Sequence, residues 1–140
     1  MIIIPGKPIA KNRPRFSKFG AYSDQKPLEN SYKNELLVKR EKIYNGPVFV
    51  GLHFYFKRPK AHYRSGKYKN ILKESAPFFH ESKPDIDNLI KWTCDCANGI
   101  LFPDDMRITG IYATKQYSEN GNERTEIEIR EETLPEEPPF

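Results

Sequence analysis

Between residues 83 and 108 the chain reads KPDIDNLIKWTCDCANGILFPDDMRI, and its acidic side chains are spaced to hold a hard cation rather than to solvate a surface. Asp85 and Asp87 open an apolar-periodic run, Lys91 and Asp95 continue from Asp87 at steps of four, and Asp104 and Asp105 follow in a loop opened by Pro103. Carboxylate oxygens with several retained waters suit Mg²⁺ or Mn²⁺ and need neither His nor Cys. A helix mouth bearing Asp85 and a loop bearing Asp104 and Asp105 can converge on one ion, with the Lys91 cation between two carboxylates on a helix stripe. Each residue also has an ordinary explanation: Asp85 as an N-cap, Asp87 complementing the helix dipole, Asp104 and Asp105 as turn formers.

The element that must carry these groups is a helix over 85–98. Pro84 is tolerated just before a helix or in its first turn, Asp85 is a good N-cap, and Gly99 can end the run. At 100° per residue, Ile86, Leu89, Ile90, Thr93, Cys96, Ala97 and Ile100 fall on one core face, opposite Asp87, Lys91, Asp95 and Asn98.

Two basic segments flank it. Residues 7–18 hold Lys7, Lys11, Arg13, Arg15 and Lys18 with no acid, and Pro8 and Pro14 bar a continuous helix, so the stretch reads as an irregular arm. Its guanidinium groups can grip phosphate while Phe16, Phe19 and Tyr22 pack or stack on neighbours. Residues 57–73 carry Lys57, Arg58, Lys60, Arg64, Lys67, Lys69 and Lys73, again without an acid, and read as a mobile loop, with room for a short helical piece, that orders on a charged partner. His80, just beyond, reads as structural or DNA-adjacent rather than catalytic.

The remaining elements are a strand over 1–4, a helix over 27–44 and a strand over 48–56. A β-hairpin over 107–132 turns at Asn120–Gly121–Asn122, and an acidic, proline-rich tail at 134–140 follows the domain of residues 1–133. With 140 residues, 37% hydrophobic and 30% charged, one globular domain is expected. No run of about 18 apolar residues exists to cross a bilayer, MIIIPGKP is too short for a signal peptide, and the cytoplasm is the expected location. Cys94 and Cys96 point to different sides of the helix and should stay reduced, and three scattered histidines argue against zinc. The net charge of +4 hides a polarity, because the eight Glu beyond residue 118 face only Arg124 and Arg130. A cationic body with an anionic end suits a polyanion, nucleic acid first.

The stretch KPDIDNLIKWTCDCANGILFPDD resembles the signature of the RusA family of Holliday junction resolvases of bacteria and their prophages, in which an Asp-x-Asp-Asn-Leu-x-Lys helix start precedes a helical Asp and an Asp-Asp loop. GKPIAKNRPR is similar to the family's N-terminal Gly-x-Pro-x-x-Lys-x-Arg-Pro-Arg stretch, and the likeness runs from Ile4 to about Glu128. One departure is Met106–Arg107, where a small residue and Gln often follow the Asp pair. The resemblance implies an α/β domain of the α+β type, with helices packed on a mixed sheet. It also implies a homodimer, a Mg²⁺ requirement with Mn²⁺ as an alternative, and no organic cofactor. It makes Asp85, Asp87 and Asp105 catalytic metal ligands, Asp104 a further ligand and Lys91 the catalytic lysine. The expected substrate is a four-way DNA junction cut by paired symmetric nicks, with Lys7, Lys11, Arg13, Arg15, Lys57, Arg58, Lys60, Arg64, Lys67 and Lys69 on its backbone. Two rivals remain: a nuclease of broader choice acting on flaps or forks, and a catalytically silent DNA-binding module.

Overall fold

The most apolar stretch of the chain, VFVGLHFYF, forms the central strand of the fold. In the computed structural model, which describes residues 1–132, it is β4 (Val48–Phe56), following β1 (Ile2–Pro5), β2 (Arg15–Ser17), β3 (Gly20–Tyr22) and the helix α1 (Lys26–Lys39). After it come α2 (Ile86–Ala97), β5 (Ile108–Tyr117) and β6 (Arg124–Glu131). The main sheet has the order β1-β6-β4-β5, with β4 parallel to β5 and antiparallel to β6, and β1 antiparallel to β6. This is the mixed sheet with packed helices expected of an α+β domain, and no helix is long and apolar enough to cross a membrane among the described residues.

Val48, Val50, Leu52, Phe54 and Phe56 alternate onto the buried face of β4, where Leu89, Trp92 and Cys96 of α2 and Tyr32 and Leu36 of α1 join them in the core. Trp92 and Tyr32 meet edge to face at 5.9 Å. The core stripe of α2 is rotated from the expected one: Trp92 is buried and Ile86 is not, because the indole has far more apolar area to hide. On the other sheet face the aromatics of β4 are roofed by arginines, Arg124 over Tyr55 at 3.8 Å and Arg130 over Phe49 at 4.9 Å.

Three expectations are corrected. β5 and β6 do not form a hairpin, because β4 lies between them. β4 has nine residues and an apolar inner face, and only a central position satisfies both of its backbone edges. α1 stops at Lys39 rather than Tyr44: Arg40 turns extended and donates to the Ile100 carbonyl at 2.9 Å, and Tyr44 N–H donates to that of Leu101 at 2.8 Å. The basic arm is not wholly irregular, since β2 and β3 make a small antiparallel hairpin within it. The tail expected at 134–140 lies outside the described residues.

Candidate active site

α2 begins one residue after Asp85, which takes the N-cap backbone conformation with φ −69° and ψ 144°. Its carboxylate makes no capping hydrogen bond, so capping does not account for this side chain. Asp87 stands exposed in the first turn. The segment ahead of the helix is sewn to the end of β5. His80 N–H donates to the Lys115 carbonyl, Tyr117 N–H donates to that of Phe78, and Lys115 Nζ donates to the carbonyls of Ser82 and Pro84 at 2.6 Å each. The His80 ring stacks on Phe56 at 4.0 Å, which fits the structural role expected of it. Lys115 thereby fixes the backbone immediately before Asp85. A lone lysine on a strand otherwise reads as solvated, so the sequence carries no signal for this role.

At the other end of α2, Asp104 precedes a 3₁₀ turn (Asp105–Arg107) and accepts from Met106 N–H at 3.0 Å. That bond, with help from the Asp105 side chain and Arg107, holds Asp104 below the usual carboxylate range. Asp105 moves the opposite way: its hydrogen bond to Asp104 comes first, then partial desolvation and the charges of Asp104 and Asp95. Asp105 thus feels the charge of Asp95, in the last turn of α2.

The predicted stripe is redistributed. Asp95 pairs with Lys11 of the arm at 3.4 Å, and among the described residues no carboxylate lies within salt-bridge reach of Lys91, which stays exposed. The arm is docked where it crosses α2: Lys11 N–H donates to the Asn88 carbonyl at 2.9 Å and Lys11 Nζ lies 6.0 Å from the Trp92 ring centre. Gln25, buried at the start of α1, clamps the same stretch, accepting from Asn12 N–H and donating to the Ala10 carbonyl at 2.8 Å each.

Of the expected DNA-facing cations, Lys7, Arg13, Arg15, Lys57, Lys60, Arg64, Lys67 and Lys69 are exposed, with Arg15 braced by Asp24 at 2.8 Å. Arg58 is not available. It is buried, donates to the Pro77 carbonyl at 2.6 Å and stacks over Tyr117, the last residue of β5, so its long side chain packs instead of reaching solvent. The 57–73 loop holds short 3₁₀ turns at Lys60–His62 and Gly66–Tyr68, in keeping with the helical piece expected there, and is further tied by backbone bonds. Tyr63 bridges Leu72, Arg64 N–H donates to the Ile71 carbonyl and Lys73 N–H to that of His62. It borders an open pocket of about 560 Å³ lined by Lys60, Tyr63, Arg64, Lys69, Asn70 and Lys73.

Among the described residues, no three His, Cys, Asp or Glu side chains are gathered into one ion-binding cluster. In donor type the residues do fit a hard divalent ion. Asp85 and Asp87 are exposed carboxylates, and Asp104 and Asp105 form a like-charge pair that a cation would relieve. The thiols offer no rival site, since burial pushes Cys94 up to about 11 and Cys96 up to about 12.

An α+β domain with free carboxylates along one helix, flanked by a cationic arm and a cationic loop, has the make-up of a nucleic-acid phosphodiesterase. A family model described as endodeoxyribonuclease RusA matches residues 5–130, and the chain belongs to that family of DNA endonucleases. It is also 31% identical over 133 residues to the uncharacterized protein YqaN of Bacillus subtilis (strain 168), a match spanning 90% of this chain and 92% of that one.

Proposed function

We propose that this endodeoxyribonuclease resolves four-way DNA junctions by paired nicks, working as a homodimer with Mg²⁺ or Mn²⁺. The observation that carries the reading is the free Asp85 and Asp87 carboxylates at the mouth of α2, with exposed Lys91 one turn beyond. Asp85 and Asp87 would hold the ion, and Asp105 and Asp104 would join from their loop. When bound, such an ion acidifies a water and offsets phosphate charge. Lys91 stabilises the charge that develops on the phosphate as water adds and the leaving oxygen departs. The exposed cations of the arm and the 57–73 loop hold backbone phosphates without reading bases. Two identical sites related by a two-fold axis match a junction whose strands are related in the same way.

The test incubates the protein with a labelled immobile junction and a matched linear duplex, with Mg²⁺, with EDTA, and with Asp87→Asn in place of the wild type. Paired symmetric nicks that need both Mg²⁺ and Asp87 are expected, and Mg²⁺ should raise the melting temperature of the wild type but not of an Asp85→Asn/Asp87→Asn variant. Near wild-type cutting by Asp87→Asn would sink the assignment. Equal cutting of linear duplex would favour the broader nuclease, and binding without cutting under any divalent metal would favour the silent module.

A further inference from the structure

The hairpin of β2 and β3 is exposed throughout, which neither the core nor the carboxylate site explains. Every residue of both strands faces solvent, with Phe16 at 81%, Phe19 at 89% and Tyr22 at 49% exposure. Three aromatics left in water at one place call for a partner. The register pairs Arg15 with Tyr22, Phe16 with Ala21 and Ser17 with Gly20, so Phe16 and Tyr22 lie on opposite faces and Phe19 caps the tip. A flap laid on a protein surface would present one apolar face. This hairpin is aromatic on both faces and at its end, the form of a blade that enters between two layers.

Its shape is set by local bonds. Gly20 takes the turn at φ +111°, Phe19 N–H donates to Ser17 Oγ at 3.2 Å, and Arg15 Nε is held by Asp24 at 2.8 Å. Arg13, Arg15 and Lys18 neighbour the rings in the chain, Lys18 Nζ lying 5.1 Å from the Phe19 ring centre, and no acid precedes Asp24, so the complement is a polyanion with flat apolar faces. Unstacked bases between phosphates have that chemistry, since any base offers a face to an aromatic ring. The root of the arm is fixed on α2 through Lys11, and the five residues onward to Phe16 span at most about 17 Å, which tethers the blade within that reach of the helix that carries Asp85 and Asp87.

We infer that the hairpin is an aromatic wedge that enters the open centre of branched DNA, stacks Phe16 and Phe19 on unpaired or unstacked bases, and makes branched DNA the preferred substrate. The inference rests on the reading of this protein as a nuclease for branched DNA. The experiment places 2-aminopurine at the centre of a four-way junction, and in a matched duplex, and measures fluorescence and affinity in EDTA. The full chain is compared with its Phe16→Ala/Phe19→Ala and Phe16→Tyr/Phe19→Tyr variants. The wild type should change the emission of the junction probe. The alanine pair should lose that change and about tenfold or more in junction affinity while binding duplex as before, because stacking is lost and phosphate contacts are not. The tyrosine pair should restore both. An alanine pair that keeps the wild-type preference for the junction and its emission change overturns the wedge and leaves the branched-DNA reading standing. A wild type without preference for the junction overturns that reading and the wedge with it. Loss of self-association on sedimentation of the alanine pair, with junction binding intact, would assign the hairpin to a second copy of the chain instead.

Discussion

Replacing Gln25 with Leu tests whether the basic arm is held on α2 by one buried side chain. The Gln25 amide makes two hydrogen bonds to arm backbone, each 2.8 Å, from Asn12 N–H and to the Ala10 carbonyl. Leucine fills similar space and makes neither. A hydrogen bond contributes on the order of 1 kcal/mol net, and water can reach the freed groups of this partly open stretch, so docking should weaken by about 2 kcal/mol. That is roughly a thirtyfold rise in the population with the arm undocked. Asn12 N–H loses its own acceptor in the variant and reports nothing beyond that. The informative amide is Lys11 N–H, which donates to the Asn88 carbonyl and is not touched by the substitution. Hydrogen exchange at Lys11 should accelerate about thirtyfold if the arm docks as a unit. Unchanged protection at Lys11 would refute this reasoning and leave the Lys11–Asp95 ion pair as the sufficient anchor.

Burial against Phe56, with Lys115 nearby, holds the His80 imidazole below the ordinary value of 6.5. The unfolded chain therefore binds this proton more readily than the native one, so the His80 contribution is fully present above 6.5 and is lost as the pH falls through it towards the depressed native value. His80→Phe keeps the stack and removes the proton; its melting temperature should fall less than that of the wild type between about pH 7.5 and pH 5, and an equal fall in both would contradict the assignment. At Gly110 an added Cβ would lie 2.7 Å from Cδ2 of Phe49, whose ring is roofed by Arg130. Gly110→Ala should lose about 1–3 kcal/mol in urea denaturation, and the loss should shrink in a Phe49→Leu background; a loss of equal size in both would place the strain elsewhere.

What was legible in the sequence follows the range of the interactions that decide it. β4 matches its expected bounds, 48–56, because apolar alternation and the Asn45–Gly46–Pro47 turn are local signals. α2 matches within a residue at each end because Pro84, Asp85 and Gly99 mark it locally. The order of the sheet was hidden. A turn at Asn120–Gly121–Asn122 between two alternating runs looks the same whether those runs pair with each other or straddle a third strand. Arg58 reads like its exposed neighbours in a basic segment, and only its contacts with Tyr117 and the Pro77 carbonyl show why it is buried. Gln25 and Lys115 act by touching backbone, which any residue supplies, so no motif announces them. The carboxylates themselves were found by type and spacing, yet the pairing of Asp95 with Lys11 depends on an arm more than seventy residues earlier in the chain.

The position of β4 has a consequence for the chain while it is being made. The partners of β4 are β5 and β6, and the partner of β1 is β6, so no two strands of the main sheet that lie before residue 108 pair with each other. Throughout synthesis of the first three-quarters of the protein, VFVGLHFYF waits with both edges open and no Asp, Glu, Lys or Arg along its length. Such a segment is prone to stack with copies of itself. Its flanks are the standard deterrents, Pro47 before it and Lys57–Arg58 directly after, which disfavour extension of any such stack until the last strand closes the sheet.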